Sequence, residues 1–319
     1  MAKLFIIGNG FDMAHFTAED RKNRKTTSTN DFRYYLESNG IKKNLSLPSK
    51  KQDRDGGEYY DKVEQVSFVA NLLIHSNGDN WANFEEALGN MDLDFCYPDA
   101  PVAVDSDGDP KPTANDNVAE DISTDLTETL SIVPEVFTEW LDTTNIQNVL
   151  PIEKVKTLLK DDIDNNLFLN FNYTVTLQRL YAIPDGNVCH IHGRQGGTLV
   201  VGHGEEAAQY EVGFVEKHDL SGEATGKLAQ LETVLKKDTA KALGQSTQFF
   251  NKLSNISEVY SYGFSYSKVD EIYIKEICRH ISSKAIWYLQ VYDEKANKNK
   301  ESEGIIRACG FKGSFARFN

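Results

Sequence analysis

The chain opens on an unbroken apolar run, Leu4-Phe5-Ile6-Ile7, followed at once by Gly8-Asn9-Gly10. A continuous run of this kind predicts a strand buried on both faces of a parallel sheet, because strict alternation arises only where one face meets water. A helix is expected to begin in Phe11-Asp12-Met13-Ala14. Residues 22–30 are polar and basic and read as a loop, and 31–36 resume a helical pattern. The stretch 42–58, with Pro48, Gly56 and Gly57, reads as a long exposed connection. Helical spacing then dominates, with Val63, Val66, Ala70 and Leu73 inside 59–75 and Trp81, Phe84 and Leu88 after them. Residues 97–117 carry Pro, Asp and Gly without periodicity, the pattern of a loop. An apolar ladder follows through Val118, Ile122, Leu126, Leu130, Val133 and Leu141, in which Pro134 predicts a kink or a fresh start. Pro151 suits the first turn of a helix carrying Val155, Leu158 and Leu159. Strand patterns return at 167–171, 188–191, 198–201, 258–262 and 285–291. One helical stretch with Leu228, Leu231, Leu235 and Leu243 lies between the third and fourth of these. The expectation is an α/β protein whose first strand–turn–helix is separated from the rest by a large helical insertion.

Composition narrows the class. The 319 residues are 40% hydrophobic, 11% aromatic and 26% charged, an ordinary globular mixture able to bury a sizeable core. The net charge of −14 argues against a broad nucleic-acid face, because neutralising phosphates needs clustered Lys and Arg. A small basic pocket for a nucleotide remains compatible with it. The charge is uneven: residues 91–145 hold fourteen acidic side chains and one basic one, Lys111, a balance of −13. That segment reads as a solvated acidic excursion. Cys96, Cys189, Cys278 and Cys309 are widely spaced with no C-x-x-C pair, which fits reduced thiols rather than a disulfide framework or a zinc knuckle. The opening apolar run is too short for a signal-peptide core, and no stretch approaches the ~20 apolar residues of a membrane span. A cytoplasmic protein is expected, with no membrane and no direct nucleic-acid partner.

Glycines and polar side chains recur where strands are expected to end. Gly8-Asn9-Gly10 after a buried strand is a phosphate-cradle signal, since glycines permit close backbone approach and a following helix offers free N–H groups to an anion. The third glycine of G-x-G-x-x-G is absent, Met13 standing in its place, so a packed strand-to-helix turn competes with that reading. Asp12 would repel a phosphate and is better suited to a ribose hydroxyl or a helix cap. Asn170-Phe171-Asn172-Tyr173-Thr174 closes a second strand, facing the crevice where open α/β sheets bind ligands. An asparagine there can hold a water or a sugar hydroxyl through both amide functions, or cap the next helix. His190-Ile191-His192-Gly193 ends a third, and period two places both histidines on one face. Histidine is the natural base near neutral pH. Gly202-His203-Gly204 and Ser261-Tyr262-Gly263-Phe264-Ser265 end two more, the latter ahead of a helix with Asp270, Tyr273 and Ile274. On one side of a parallel sheet these ends would form a single pocket. Asp105-x-Asp107-x-Asp109 has the spacing of a calcium loop, but Pro110 occupies the place of the required glycine, and the segment reads as solvated loop.

These stretches resemble the AbiH family of bacterial abortive-infection proteins. The matching segments are LFIIGNGFDMAH (4–15), WANFEEALG (81–89), FLNFNYTVTLQRLY (168–181), HIHG (190–193), GHG (202–204) and VYSYGFSYSKVDEIYI (259–274). They span nearly the whole chain in the family's order. The family usually continues after Ala14-His15 with a short Gly-Leu-Pro-Thr turn; here a longer basic stretch, 16–28, implies a different lid over the first turn. AbiH proteins in turn resemble sirtuin-like NAD-binding domains. That resemblance implies a Rossmann-like, sirtuin-like parallel sheet formed by 1–20 and 161–319, with 21–160 as a mainly helical, acidic insertion. It implies Gly8, Asn9, Gly10, Phe11 and Asp12 as the glycine-rich turn and His192 as the catalytic histidine. Asn172 matches the asparagine of an Asn-Tyr-Asp motif, in which Thr174 replaces the Asp.

The activity so implied is hydrolysis of the nicotinamide–ribose bond of NAD, with NAD as substrate and no metal expected. Asn172 and His192 are the expected catalytic pair. Gly8, Asn9, Gly10, Phe11, Asp12, His15, Asn170, Thr174, His203, Gly263 and Ser265 are expected to hold the dinucleotide. The backbone of 8–10 would hold the pyrophosphate, with Asp12 and Ser265 on sugars. A deacylase fits less well, since the chain has no zinc-binding cysteine quartet. Two alternatives use the same residues: a non-catalytic nucleotide-sensing module that gates a partner protein, and a metal hydrolase built on His190, His192 and His203. The expected partners are NAD or a related nucleotide, and a second copy or a separate sensor subunit that restrains the enzyme until infection.

Overall fold

A computed structural model describes residues 2–23, 25–39, 46–77, 84–98, 100–144, 149–159, 162–204, 212–291 and 297–319. Trp81 lies outside the described residues. The chain forms two compact units: Met1–Ser28, Leu141–Val200 and Asp238–Asn319 make the first, and Thr29–Trp140 with Val201–Lys237 the second. This division differs from the boundaries drawn on the sequence. Residues 141–160 join the sheet-bearing unit, because Val155 and Leu159 pack on the sheet. Residues 201–237 join the helical one, where the helix Gly222–Leu235 packs against Pro112–Leu130.

Among the described residues the strands are β1 (Lys3–Ile7), β2 (Lys51–Gln52), β3 (Glu58–Tyr59), β4 (Leu167–Asn170), β5 (Val188–His190), β6 (Glu258–Tyr262), β7 (Ile286–Gln290) and β8 (Ser314–Phe318). Six of them form one sheet in the order β5-β4-β1-β6-β7-β8, every pair parallel. Counted within that sheet the order reads 3-2-1-4-5-6, so the direction of strand addition reverses between β1 and β6. The apolar run that opens the chain is the central strand. Leu4 and Ile6 enter the core on one face, with Leu169, Val259 and Trp287. Phe5 and Ile7 enter the other, with Phe168, Leu177 and Tyr260. Each such side chain contributes about 2 kcal/mol by leaving water, which is why this run reads so clearly as a strand. In-register pairing stacks Phe5 on Phe168 and on Tyr260, with ring centroids 5.1 and 5.2 Å apart.

Several expected elements differ in detail. Residues 198–201 form no strand; β5 ends the sheet, and Val200 makes a single backbone bond, its N–H donating to His192 O at 2.8 Å. The stretch holding Leu228 to Leu243 is two helices, Gly222–Leu235 and Thr239–Gln245, the second capped by Asp238, whose carboxylate accepts from Lys241 N–H. The long ladder also divides, into Pro112–Leu130 and Val133–Thr143, with Pro134 in the first turn of the second, where its missing N–H costs nothing. The expected 59–75 helix starts later, at Lys62, because 51–59 folds into the small β2–β3 hairpin. A short helix, Ala18–Lys22, precedes the basic loop, and the loop expected over 97–117 yields to helix from Pro112. The helix Asn297–Ala308 and the edge strand β8 are additional to the elements the pattern predicts. In the second unit Phe32, Phe84, Phe137 and Trp140 form an aromatic cluster. Among the described residues no helix is long and apolar enough to cross a membrane.

Candidate functional site

Four of the motifs lie at the carboxyl ends of β1, β4, β5 and β6, which the parallel register brings to one edge of the sheet. After β1 the chain passes into the helix Asn9–His15, whose Phe11 packs on one face of the sheet. After β6 it passes into Glu271–His280, whose Tyr273, Ile274 and Ile277 pack on the opposite face. This divergence is the geometry of a topological switch point, where open α/β sheets bind ligands.

The glycines have a closer explanation than a ligand. A Cβ on Gly8 would meet Gly263 O at 2.4 Å, and one on Gly10 would meet Gly263 Cα at 2.7 Å. Gly263 itself has φ +65°, and its Cβ would lie 2.2 Å from Phe11 N. The two turns touch backbone to backbone. Gly8 N–H donates to Tyr262 O (3.0 Å), Gly10 N–H to Gly263 O (3.0 Å) and Phe11 N–H to Gly8 O (2.9 Å). Those three amides are therefore engaged within the protein. Asn9 is exposed beside them and tied to the basic loop, its Nδ2 donating to Thr27 O at 3.2 Å while Thr27 Oγ1 donates to Asn9 Oδ1 at 2.7 Å. These bonds tie the basic stretch after the helix to the turn.

Beneath the turn lies a polar network. Asp12 is buried, accepts a hydrogen bond at Oδ2 from Thr174 Oγ1, and has no partner at Oδ1 among the described residues. Burial pushes its carboxyl up to about 6, against the opposing hydrogen bond from Thr174 and the nearby polar groups of Thr176 and Asn172. Thr174 serves as a hydroxyl donor to this carboxylate. Asn172 takes Gly8 O with Nδ2 at 3.0 Å, and its N–H donates to Asn170 Oδ1 at 3.0 Å. Asn170 therefore caps the turn after β4, while Asn172 joins the ends of β4 and β1. Thr176 and Gln178, from the helix Thr176–Tyr181, complete the network and were not singled out in the sequence; polar residues in a first helical turn give no signal distinct from capping.

The two histidines of HIHG part company, contrary to the alternation expected of them. The strand stops at His190, and the chain turns at Ile191 and His192 before Gly193, whose φ is +82°. His190 accepts from Gln178 Nε2 at Nε2 (2.9 Å) and donates from Nδ1 to Asn172 O (3.2 Å); burial pushes its pKa down. His192 instead packs among Phe171 and Tyr273, with ring centroids at 5.4 and 5.5 Å, and its Nε2 lies 3.7 Å from Asp270 Oδ1. Its side chain is only 3% exposed. Asp270 is the residue the sequence named without giving it a role.

The remaining expected contacts divide. Phe11 is core, in edge contact with Tyr262 at 5.2 Å. His15 is buried with both ring nitrogens engaged. Ile152 N–H donates to Tyr181 OH (2.9 Å), so the hydroxyl donates to His15 Nε2 (2.6 Å), and Nδ1 donates to Phe11 O (2.7 Å). Burial lowers its pKa. Ser265 is exposed just beyond Gly263. His203 belongs to the second unit, where its N–H donates to Leu235 O (2.9 Å) and its carbonyl accepts from Lys237 N–H (2.8 Å). Asp105 Oδ1 accepts from Asp107 and Asp109 N–H groups, which closes its own turn. Among the described residues no cluster of three or more His, Cys, Asp or Glu is placed to hold a metal ion.

No curated protein and no solved structure matches the chain. A family model does, over residues 4–291, from β1 to just past β7, and the chain accordingly belongs to the bacteriophage abortive infection AbiH family.

Proposed function

We propose that the carboxyl edge of the sheet binds NAD and that the protein hydrolyses its nicotinamide–ribose bond, acting as the effector of an abortive-infection response. The observation that carries the reading is the strand order. A reversal of strand order such as that between β1 and β6 is where open α/β sheets bind ligands, which supports this reading, and the polar groups of Asp12, Asn170, Asn172 and Thr174 gather beside it. Asp12 Oδ1 is an acceptor without a donor among the described residues, which a ribose hydroxyl would satisfy.

In the reaction, the bond between C1′ and the nicotinamide nitrogen breaks with its electron pair on nicotinamide, water oxygen bonds to C1′, and one water proton is released. The transition state is oxocarbenium-like, and nicotinamide is a good leaving group without protonation. Asn172 holds the ribose or the water, and His192 accepts the released proton. Purified protein, alone and with lysate from infected cells, is assayed for NAD loss by chromatography. NAD loss that survives in both Asn172→Ala and His192→Ala refutes the assignment. A second copy or a sensor subunit that restrains the enzyme is part of the same proposal.

The burial of His192 favours one other reading. With its ring enclosed by Phe171 and Tyr273, the edge would bind a nucleotide and gate a partner protein without turnover. Calorimetry that detects NAD binding, with no NAD consumed under any condition, distinguishes it.

A further inference from the structure

We infer that Asp270 is a positioning residue for His192, the two forming a charge-coupled pair beneath the carboxyl edge of the sheet. Nε2 of His192 lies 3.7 Å from Oδ1 of Asp270, and both residues are buried. That distance exceeds a direct hydrogen bond but falls where an opposite charge stabilises a protonated imidazole. The carboxylate is fixed in place. Its Oδ2 accepts the Ser267 hydroxyl at 2.7 Å, and Asp270 N–H donates to Ser267 O at 3.0 Å, closing a turn directly before the helix Glu271–His280. The ring is packed as well, by an edge contact with Phe171 and tilted contacts with Tyr273 and Tyr173. Among the described residues, titratable groups facing it include Asp270 and Tyr273, at the start and within the first turn of one helical segment, and Tyr173 in the turn after β4. Asp270 places a carboxylate 3.7 Å from the ring, so a proton taken by His192 acquires a counter-charge. That His192 takes a proton during catalysis rests on the proposed NAD chemistry; the pairing does not.

The pairing is tested on protein labelled with ¹⁵N-histidine. The chain has seven histidines, and the ring signals of His192 are those missing in His192→Gln. Asp270→Asn is expected to lower the pH at which His192 titrates by about one unit. Ser267→Ala, which loosens the carboxylate without removing it, is expected to shift it the same way by less. If Asp270→Asn does not fold, Ser267→Ala carries the test alone. An unchanged His192 titration in a folded variant overturns the inference. The readout needs no NAD, so its failure is distinct from an absence of NAD hydrolysis.

Discussion

Replacing Asp12 by asparagine should make this protein more stable at neutral pH. The carboxyl rises from 3.8 in the open chain to about 6 in the fold because burial penalises its charge. At 1.36 kcal/mol per unit, that shift corresponds to about 3 kcal/mol of native-state destabilisation once the group is ionised in both states. The sign follows from linkage. A group whose folded pKa is raised contributes stability that is complete below its unfolded value and lost as pH climbs through its folded value, here between about 4 and 6. The substituted amide carries no charge at any pH, and its oxygen can still accept from Thr174 Oγ1. Its amino group would meet the position where Oδ1 now has no partner among the described residues, at a cost of about 1 kcal/mol. The net gain at pH 8 is therefore about 2 kcal/mol, shrinking on acidification, gone between about pH 4 and 5 and slightly reversed at pH 4. Urea unfolding of wild type and Asp12→Asn at pH 8, 6, 5 and 4 measures it. A variant less stable than wild type at pH 8, or a difference that does not vary with pH, refutes the argument. A stability gain accompanied by loss of NAD turnover would identify Asp12 as a strained functional group.

Two further outcomes follow from the same edge. Gly263→Ala should cost more than about 3 kcal/mol or abolish folding, because a left-handed φ of +65° is joined by a Cβ only 2.2 Å from Phe11 N. Gly196→Ala, at φ +79° with open space around it, should cost about 1 kcal/mol, and equal losses in thermal or urea unfolding would refute the backbone-contact explanation. His15 has its pKa lowered by burial, so its contribution to stability is complete above its ordinary value near 6.5 and is lost as pH falls. His15→Gln should therefore lose less stability than wild type between pH 7 and 5, read by unfolding midpoints in urea; a steeper loss would show that the ring is charged in the fold.

The elements that the chain's pattern announces are those whose signal is local. Leu4 to Ile7 reads as a doubly buried strand because a short run rich in aromatic and β-branched residues is stopped at once by Gly8-Asn9-Gly10. The split at Pro134 is equally plain, since proline acts on its own helix. The four polar strand ends are each legible as motifs, but pairing between strands far apart in sequence brings them to one edge. Residues 198–201 mislead because an apolar run becomes a strand only when another strand supplies hydrogen bonds, and β5 closes the sheet without offering them. The candidate site is legible in type but not in arrangement. Gly8, Asn170, Asn172 and Thr174 converge as their motifs suggest. Only the fold shows that Gly8 and Gly10 make room for Gly263, that Asp12 is ionisable in a buried pocket, and that His203 lies in the other unit. The turn at Ile191–His192 likewise sends His192 away from His190 and toward Asp270, a partner far along the chain. Burial and pairing of this kind depend on which distant segments meet, and the residue types, spacing and propensities of the sequence hold no record of that path.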